Sequence, residues 1–123
     1  MSNLKVAFFG TSDRSIAILE ALKSNFTLSL CVTKSDVNVG RHQEKKETGV
    51  KTWAKINNVK HITIGSLKGL ELEDVIEQLK NSNVDYILVA DFSFIIPEKL
   101  LEQFPGKFIN IHFSLLPKYR GAS

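Results

Sequence analysis

The feature that most limits what this chain can fold into is a short run, Tyr86, Ile87, Leu88, Val89 and Ala90. It has strand length and no polar alternation. Successive side chains of a strand point to opposite faces, so a half-solvated strand would alternate apolar with polar residues. An unbroken apolar run belongs instead in a parallel sheet covered on both faces. Parallel strands need crossover connections, usually helices, and those helices supply the cover. Residues 5–10 repeat the pattern with Val6, Ala7, Phe8 and Phe9, and end in Gly10.

The rest of the chain fits this frame. Thr11 or Ser12 can cap a helix running to about Ser24, with Ile18, Leu19 and Leu22 on one face and Asp13 in the first turn, where the helix dipole favours an acid. Leu28, Leu30 and Val32 alternate with Thr27, Ser29 and Cys31 as a second strand. Residues 33–48 are polar, without period, and long for an α/β connection, so a functional or disordered loop is expected there. Gly49 ends it. A short helix follows, with Val50, Trp53, Ala54 and Ile56 facing inward, then a strand at residues 62–64. Leu72, Val75, Ile76 and Leu79 have the i, i+3, i+4, i+7 spacing of an amphipathic helix. After residues 86–90 comes a loop, residues 91–96. Pro97 then opens a short helix burying Leu100, Leu101 and Phe104. Pro105 and Gly106 turn the chain into a fifth strand at Phe108. Alternating strands and helices predict an α/β fold with a doubly wound, mainly parallel sheet. Ligands of such sheets bind at the carboxyl ends of the strands. Here those ends lie near Gly10, Lys34, Asp91 and Ser114.

The 123 residues suffice for one domain with its own core. No apolar run approaches the ~20 residues of a membrane span. The N-terminus has no basic region followed by an apolar stretch, and the single cysteine, Cys31, rules out a disulfide within the chain. A cytoplasmic protein without membrane contact is expected. The formal net charge is +3, and it is unevenly spread: residues 34–60 carry seven Lys/Arg against Asp36, Glu44 and Glu47. Such a segment is either a solvated loop or a footprint for a polyanion.

Asn110 and His112 interrupt the apolar fifth strand two positions apart, so they share a face at its carboxyl end. An amide can hold an oxyanion and an imidazole can carry a proton. On the residues alone, a core histidine bonded to neighbouring backbone competes with that reading. The turn at residues 10–15 has only the first glycine of G-x-G-x-x-G, so no NAD site is expected. His42, His61, His112 and Cys31 lack metal-ligand spacing, and no metal is expected. Nothing marks Ser12 or Ser93 as an activated nucleophile.

Asn110, His112, Ser114, Leu115, Leu116 and Pro117, followed by Arg120 and Gly121, resemble the core motif of the 10-formyltetrahydrofolate-dependent formyltransferases. Phe9 to Asp13, residues 18–22, and Thr33, Lys34, Ser35, Asp36, Gly40, Arg41, Val50, Lys51 and Ala54 are similar to the branch acting on methionyl-tRNA. The resemblance implies a Rossmann-like domain over residues 1–123, with a further catalytic aspartate and a C-terminal domain beyond them. It implies that Asn110 donates to the oxyanion and His112 assists proton transfer as an amine attacks the formyl carbon. It places Phe92, Ile95, Ile96, Ser114, Leu115, Leu116 and Pro117 around the folate. It gives Arg41, Lys45, Lys46 and Lys51 to a loop contacting initiator methionyl-tRNA, which favours the polyanion reading of the charge. The 123-residue chain alone is then expected to be inactive, and a monomer. Departures are Phe113 for a small residue or proline, Glu47 and Gly49 for a proline pair, and Asp91 and Ser93 for smaller residues. A sugar-nucleotide N-formyltransferase and a formyltetrahydrofolate hydrolase domain are alternatives within this chemistry. A non-catalytic folate- or nucleotide-binding module is the alternative outside it.

Overall fold

The computed structural model describes residues 3–41 and 44–112. Five strands form one parallel sheet: β1 (Lys5–Gly10), β2 (Thr27–Lys34), β5 (His61–Ile64), β6 (Tyr86–Ala90) and β7 (Phe108–Ile111), in the order β5-β2-β1-β6-β7. A separate antiparallel hairpin, β3 (Val37–Val39) and β4 (Glu44–Lys46), leaves the end of β2. The strand order reverses direction at β1. Successive crossovers run one way from β1 to β2 and β5, then the other way to β6 and β7.

Helices α1 (Ile16–Asn25) and α2 (Gly49–Ile56) cover one face of the sheet. Leu19 and Leu22 of α1 and Val50, Trp53 and Ala54 of α2 pack there against Val6, Phe8, Cys31 and Ala90. Helices α3 (Gly69–Ser82) and α4 (Glu98–Gln103) cover the other. Leu72, Val75, Ile76 and Leu79 of α3, with Leu100, pack against Ala7, Phe9, Leu30, Val32 and Ile87. Each of those α3 side chains contributes roughly 1.5–3 kcal/mol by leaving water. β1 is buried along both faces because each face is claimed by a helix pair, as its unbroken apolar run required. The structure has the Rossmann-like, doubly wound architecture expected from the sequence.

Local chemistry sets the element ends. Ser12 Oγ accepts from Arg14 N, capping a single 3-10 turn (Asp13–Ser15) that leads into α1. Thr48 Oγ1 accepts from Lys51 N and caps α2. Asn83 ends α3 in a left-handed conformation (φ 52°). Trp53 Nε1 donates to Glu20 Oε2 at 2.7 Å, tying α2 to α1.

Three expectations are corrected. Residues 33–48 are not an irregular loop: β2 runs to Lys34, and the hairpin follows, with Gly40 at φ 75° in its turn. The hairpin is a sheet of its own, and its mostly polar sequence concealed it. Leu101 is 41% exposed because the short α4 buries Leu100 and Phe104 and turns Leu101 towards a cleft. Ile56, at the last position of α2, is 75% exposed.

Candidate active site

β6 and β7 run parallel, with Val89 opposite Asn110 and Ala90 opposite Ile111. Beyond their carboxyl ends lies a cleft of about 510 Å³, within the range of small-molecule sites. Its walls combine Val89, Phe92, Phe94 and Phe108 with the polar groups of Asp91, Asn110 and His112. Ile95, Ile96 and Leu101 also line it.

Phe108 packs into the α3/α4 side of the core. Strand alternation therefore puts Asn110 on that same side, with His112 next in line, and both line the cleft. Both are exposed. Among the described residues neither side chain has a hydrogen-bond partner. Neither is a core side chain. An amide and an imidazole line an open cleft, where each can donate to or accept from a bound molecule.

The aromatic wall is a continuous stack. Phe9 and Phe92 have ring centroids 5.3 Å apart, Phe92 and Phe94 also 5.3 Å, and Phe9 and Phe108 6.2 Å, all edge-to-face. Ile95 is 90% exposed. Of the residues expected around the folate, the structure brings together Phe92, Ile95 and Ile96. Ser114, Leu115, Leu116 and Pro117 lie outside the described residues.

The loop after β6 is fastened to the turn after β1. Thr11 N donates to Asp91 O at 3.0 Å, and Ser93 N to Thr11 Oγ1 at 3.1 Å. Arg14 Nε donates to Asp91 Oδ2 at 2.8 Å, and its Nη2 lies 2.6 Å from the same oxygen as an ion pair. Sequence reasoning gave Arg14 no role. Its partner is 77 positions away, and no local pattern announces it.

The basic residues form a second region at the end of β2. Arg41, Lys45 and Lys46 are exposed on the hairpin. Lys51 differs: its Nζ lies 2.9 Å from Asp36 Oδ1 and 3.7 Å from Glu47 Oε1. The bond to Asp36 holds its ammonium above the usual lysine range. Lys51 therefore braces the base of the hairpin, whereas Arg41, Lys45 and Lys46 are exposed. Glu47 also accepts from Thr52 Oγ1 at 2.5 Å and from Lys55 Nζ at 3.0 Å. These bonds, led by that from Thr52, hold its carboxyl below the usual range.

Cys31 is buried in β2, and burial pushes its thiol up to about 12, so it is no nucleophile at neutral pH. Among the described residues no three His, Cys, Asp or Glu side chains gather to hold a metal ion. No helix among them is long and apolar enough to cross a membrane.

Residues 4–123 match the family described as formyl transferase. The chain is 40% identical over 120 residues to methionyl-tRNA formyltransferase of Nitratiruptor sp. and 36% identical over 120 residues to that of Clostridium novyi. Those alignments cover 98% of this chain but only 39% and 38% of the relatives, so the chain spans about two fifths of their length. Among solved structures it resembles glycinamide ribonucleotide transformylase 1 of Geobacillus kaustophilus, with TM-score 0.72 and 23% identity over 98% of this chain and 64% of that one. It also resembles a formyltetrahydrofolate deformylase of Pseudomonas putida, with TM-score 0.70 and 16% identity over 98% of this chain and 41% of that one. Likeness at these identities speaks for the fold. The family profile and the curated relatives go further, and by them this chain belongs to the formyl transferase family.

Proposed function

We propose that the protein transfers the formyl group of 10-formyltetrahydrofolate to the amine of initiator methionyl-tRNA. The observation that carries this reading is the cleft beyond β6 and β7, where Asn110 and His112, without a hydrogen-bond partner among the described residues, line the same space as Phe92, Ile95 and Ile96. A flat, largely apolar ring system fits such a wall, and two convergent polar groups can orient its reactive end.

The chemistry follows from those two side chains. The acceptor nitrogen attacks the formyl carbon, and the carbonyl oxygen becomes an oxyanion. The Asn110 amide donates a hydrogen bond to that oxygen, more strongly as its charge grows. His112 lies two positions on, at the same rim, and takes part in moving the proton that the attacking amine must lose. Collapse then breaks the carbon–nitrogen bond to the folate, whose N10 leaves with a proton. No covalent bond to the enzyme is required. Ser114, Leu115, Leu116 and Pro117 complete the folate enclosure in this reading.

The methionyl-tRNA acceptor is supported by the curated relatives' names and by the charge of the hairpin. Arg41, Lys45 and Lys46 are exposed there and suit a phosphate backbone. A sugar-nucleotide acceptor offers far fewer phosphates to such a surface.

The test is Asn110→Ala and His112→Ala in the protein at its full native length. Formyl transfer to methionyl-tRNA should fall by about 10²–10³ for Asn110→Ala, and His112→Ala should also lower it and alter its pH profile. Both variants should keep the wild-type melting temperature, since neither side chain is packed. Undiminished transfer by both variants would sink the assignment. Transfer to an amino-sugar nucleotide but not to tRNA would move the acceptor and leave the chemistry.

A further inference from the structure

We propose that Arg14 is a positioning residue for the formyl-donor cleft and acts through Asp91. The inference rests on the function proposed above, because it concerns how that cleft is held open and in register.

Asp91 is the first residue after β6, and it has φ 49°. A left-handed conformation there turns the chain sharply off the sheet. Outside glycine, such a conformation is uncommon, and aspartate is among the side chains that tolerate it best. The turn brings Phe92 back against Phe9, and Phe94 then packs on Phe92. The aromatic wall of the cleft therefore depends on the path the backbone takes through Asp91.

Two bonds from Thr11 secure that path on the backbone: one to Asp91 O and one from Ser93 N. Arg14 adds a third fastening, on the Asp91 side chain, from a turn on the other side of the point where strand order reverses. Its guanidinium meets one carboxylate oxygen with a directed Nε–H bond and with Nη2 in ion-pair range, a contact that a point charge would not reproduce. The Asp91 side chain is 24% exposed and that of Arg14 60%. A pair so placed contributes little to global stability. Its effect is local: Thr11 and the packing of Phe92, Phe94 and Ile96 hold the loop's backbone and inner side chains, and Arg14 fixes the Asp91 carboxylate at the cleft rim.

Asp91 lines the cleft and Arg14 does not. Among the described residues Asp91 does not bond Asn110 or His112. Loss of the pair should therefore weaken donor binding more than it slows the chemical step. Arg14→Gln removes the charge and the fork. Asp91→Asn removes the charge while keeping a residue that tolerates φ > 0.

The experiment measures KM for 10-formyltetrahydrofolate, kcat, and calorimetric affinity for 5-formyltetrahydrofolate in the protein at its full native length. Arg14→Gln should raise KM and the dissociation constant about two- to fivefold, with kcat changed less. Arg14→Lys should recover part of the loss. The Arg14→Gln/Asp91→Asn double variant should be no worse than the worse single variant, since each substitution already breaks the pair. Added salt should raise the wild-type KM towards that of the variants. Lys23→Gln, which breaks an exposed bond to Asn57 far from the cleft, should leave KM unchanged. The proposal is overturned by unchanged donor affinity in Arg14→Gln, or by additive losses in the double variant. Failure of the wild type itself to bind 5-formyltetrahydrofolate would overturn the function proposed above and this inference with it. Normal wild-type binding with an unaffected Arg14→Gln would overturn this inference alone.

Discussion

Gly10 shows how closely single residues are constrained at the centre of this sheet. It ends β1 opposite Ala90, the last residue of β6. A Cβ there would stand 2.5 Å from the Phe8 ring and 2.8 Å from Ala90 O. Phe8 is fully buried and cannot swing away, and the carbonyl belongs to the sheet. Gly10→Ala should therefore destabilise the protein by about 1–3 kcal/mol, the usual result of overpacking. A urea midpoint equal to that of the wild type would refute this. Gly10 was legible in the sequence as a tight turn, but its actual constraint, the approach of β6, was not. Asn110 and His112 were easier to find, because polar residues in an apolar strand stand out against their neighbours. Arg14 is the opposite case. Its chemistry depends on Asp91, and only the folded sheet brings the two together.

At the scale of elements, apolar patterning worked wherever a face had to be buried. β1 and β6 were readable as unbroken apolar runs because both their faces are covered, and α3 because burial of one face imposes a helical period. The β3–β4 hairpin is a separate two-stranded sheet of short, mostly polar sequence and gives no such signal. What holds it is electrostatic: Lys51 joins Asp36 before the hairpin to Glu47 after it, and Glu47 reaches on to Thr52 and Lys55 of α2. Thr33 and Thr48 share a hydrogen bond of 2.9 Å beneath. This arrangement has a pH dependence. The Glu47 carboxyl is held below its ordinary range in the folded protein, so its bonds favour the docked hairpin fully above that ordinary range. The contribution is lost as pH falls through the lowered value, when the carboxylate takes up a proton. Amide exchange at residues 44–48 should thus accelerate on acidification, relative to the intrinsic rate, before the sheet unfolds. Glu47→Gln should show the fast exchange already at neutral pH. Exchange that rises only together with that of β1 would refute a local release. Lys51 works in the other direction. Its pKa is raised, so its contribution is complete below the ordinary lysine range and disappears only in strong alkali.

For the whole molecule, the sheet order sets how the two regions relate. The hairpin follows β2 and the cleft lies beyond β6 and β7, with β1 between them. β2 and β7 are three strand spacings apart, about 14 Å. A polyanion seated on the hairpin therefore lies beside the cleft rather than over it, and its reactive end must cross the β1 turn to reach Asn110 and His112. Binding at the hairpin and chemistry at the cleft should then be separable by mutation. The measure of the first is salt. Each phosphate neutralised by an exposed cation releases condensed counterion, so the slope of log affinity against log salt changes by about 0.7–0.9 per contact. Lys45→Gln and Lys46→Gln should each reduce the slope for initiator tRNA by roughly that amount. Both should also raise KM for tRNA while leaving KM for the formyl donor alone. Lys51→Gln should change the slope much less, because Asp36 and Glu47 already neutralise that ammonium within the protein. Sequence alone grouped the lysines together, since their charges are equal there. The fold divides them into Lys45 and Lys46, which face solvent, and Lys51, which is spoken for by two carboxylates. Equal slope changes for all three would show that the hairpin opens on binding and frees Lys51. No slope change at Lys45 or Lys46 would remove the hairpin from the nucleic-acid surface altogether.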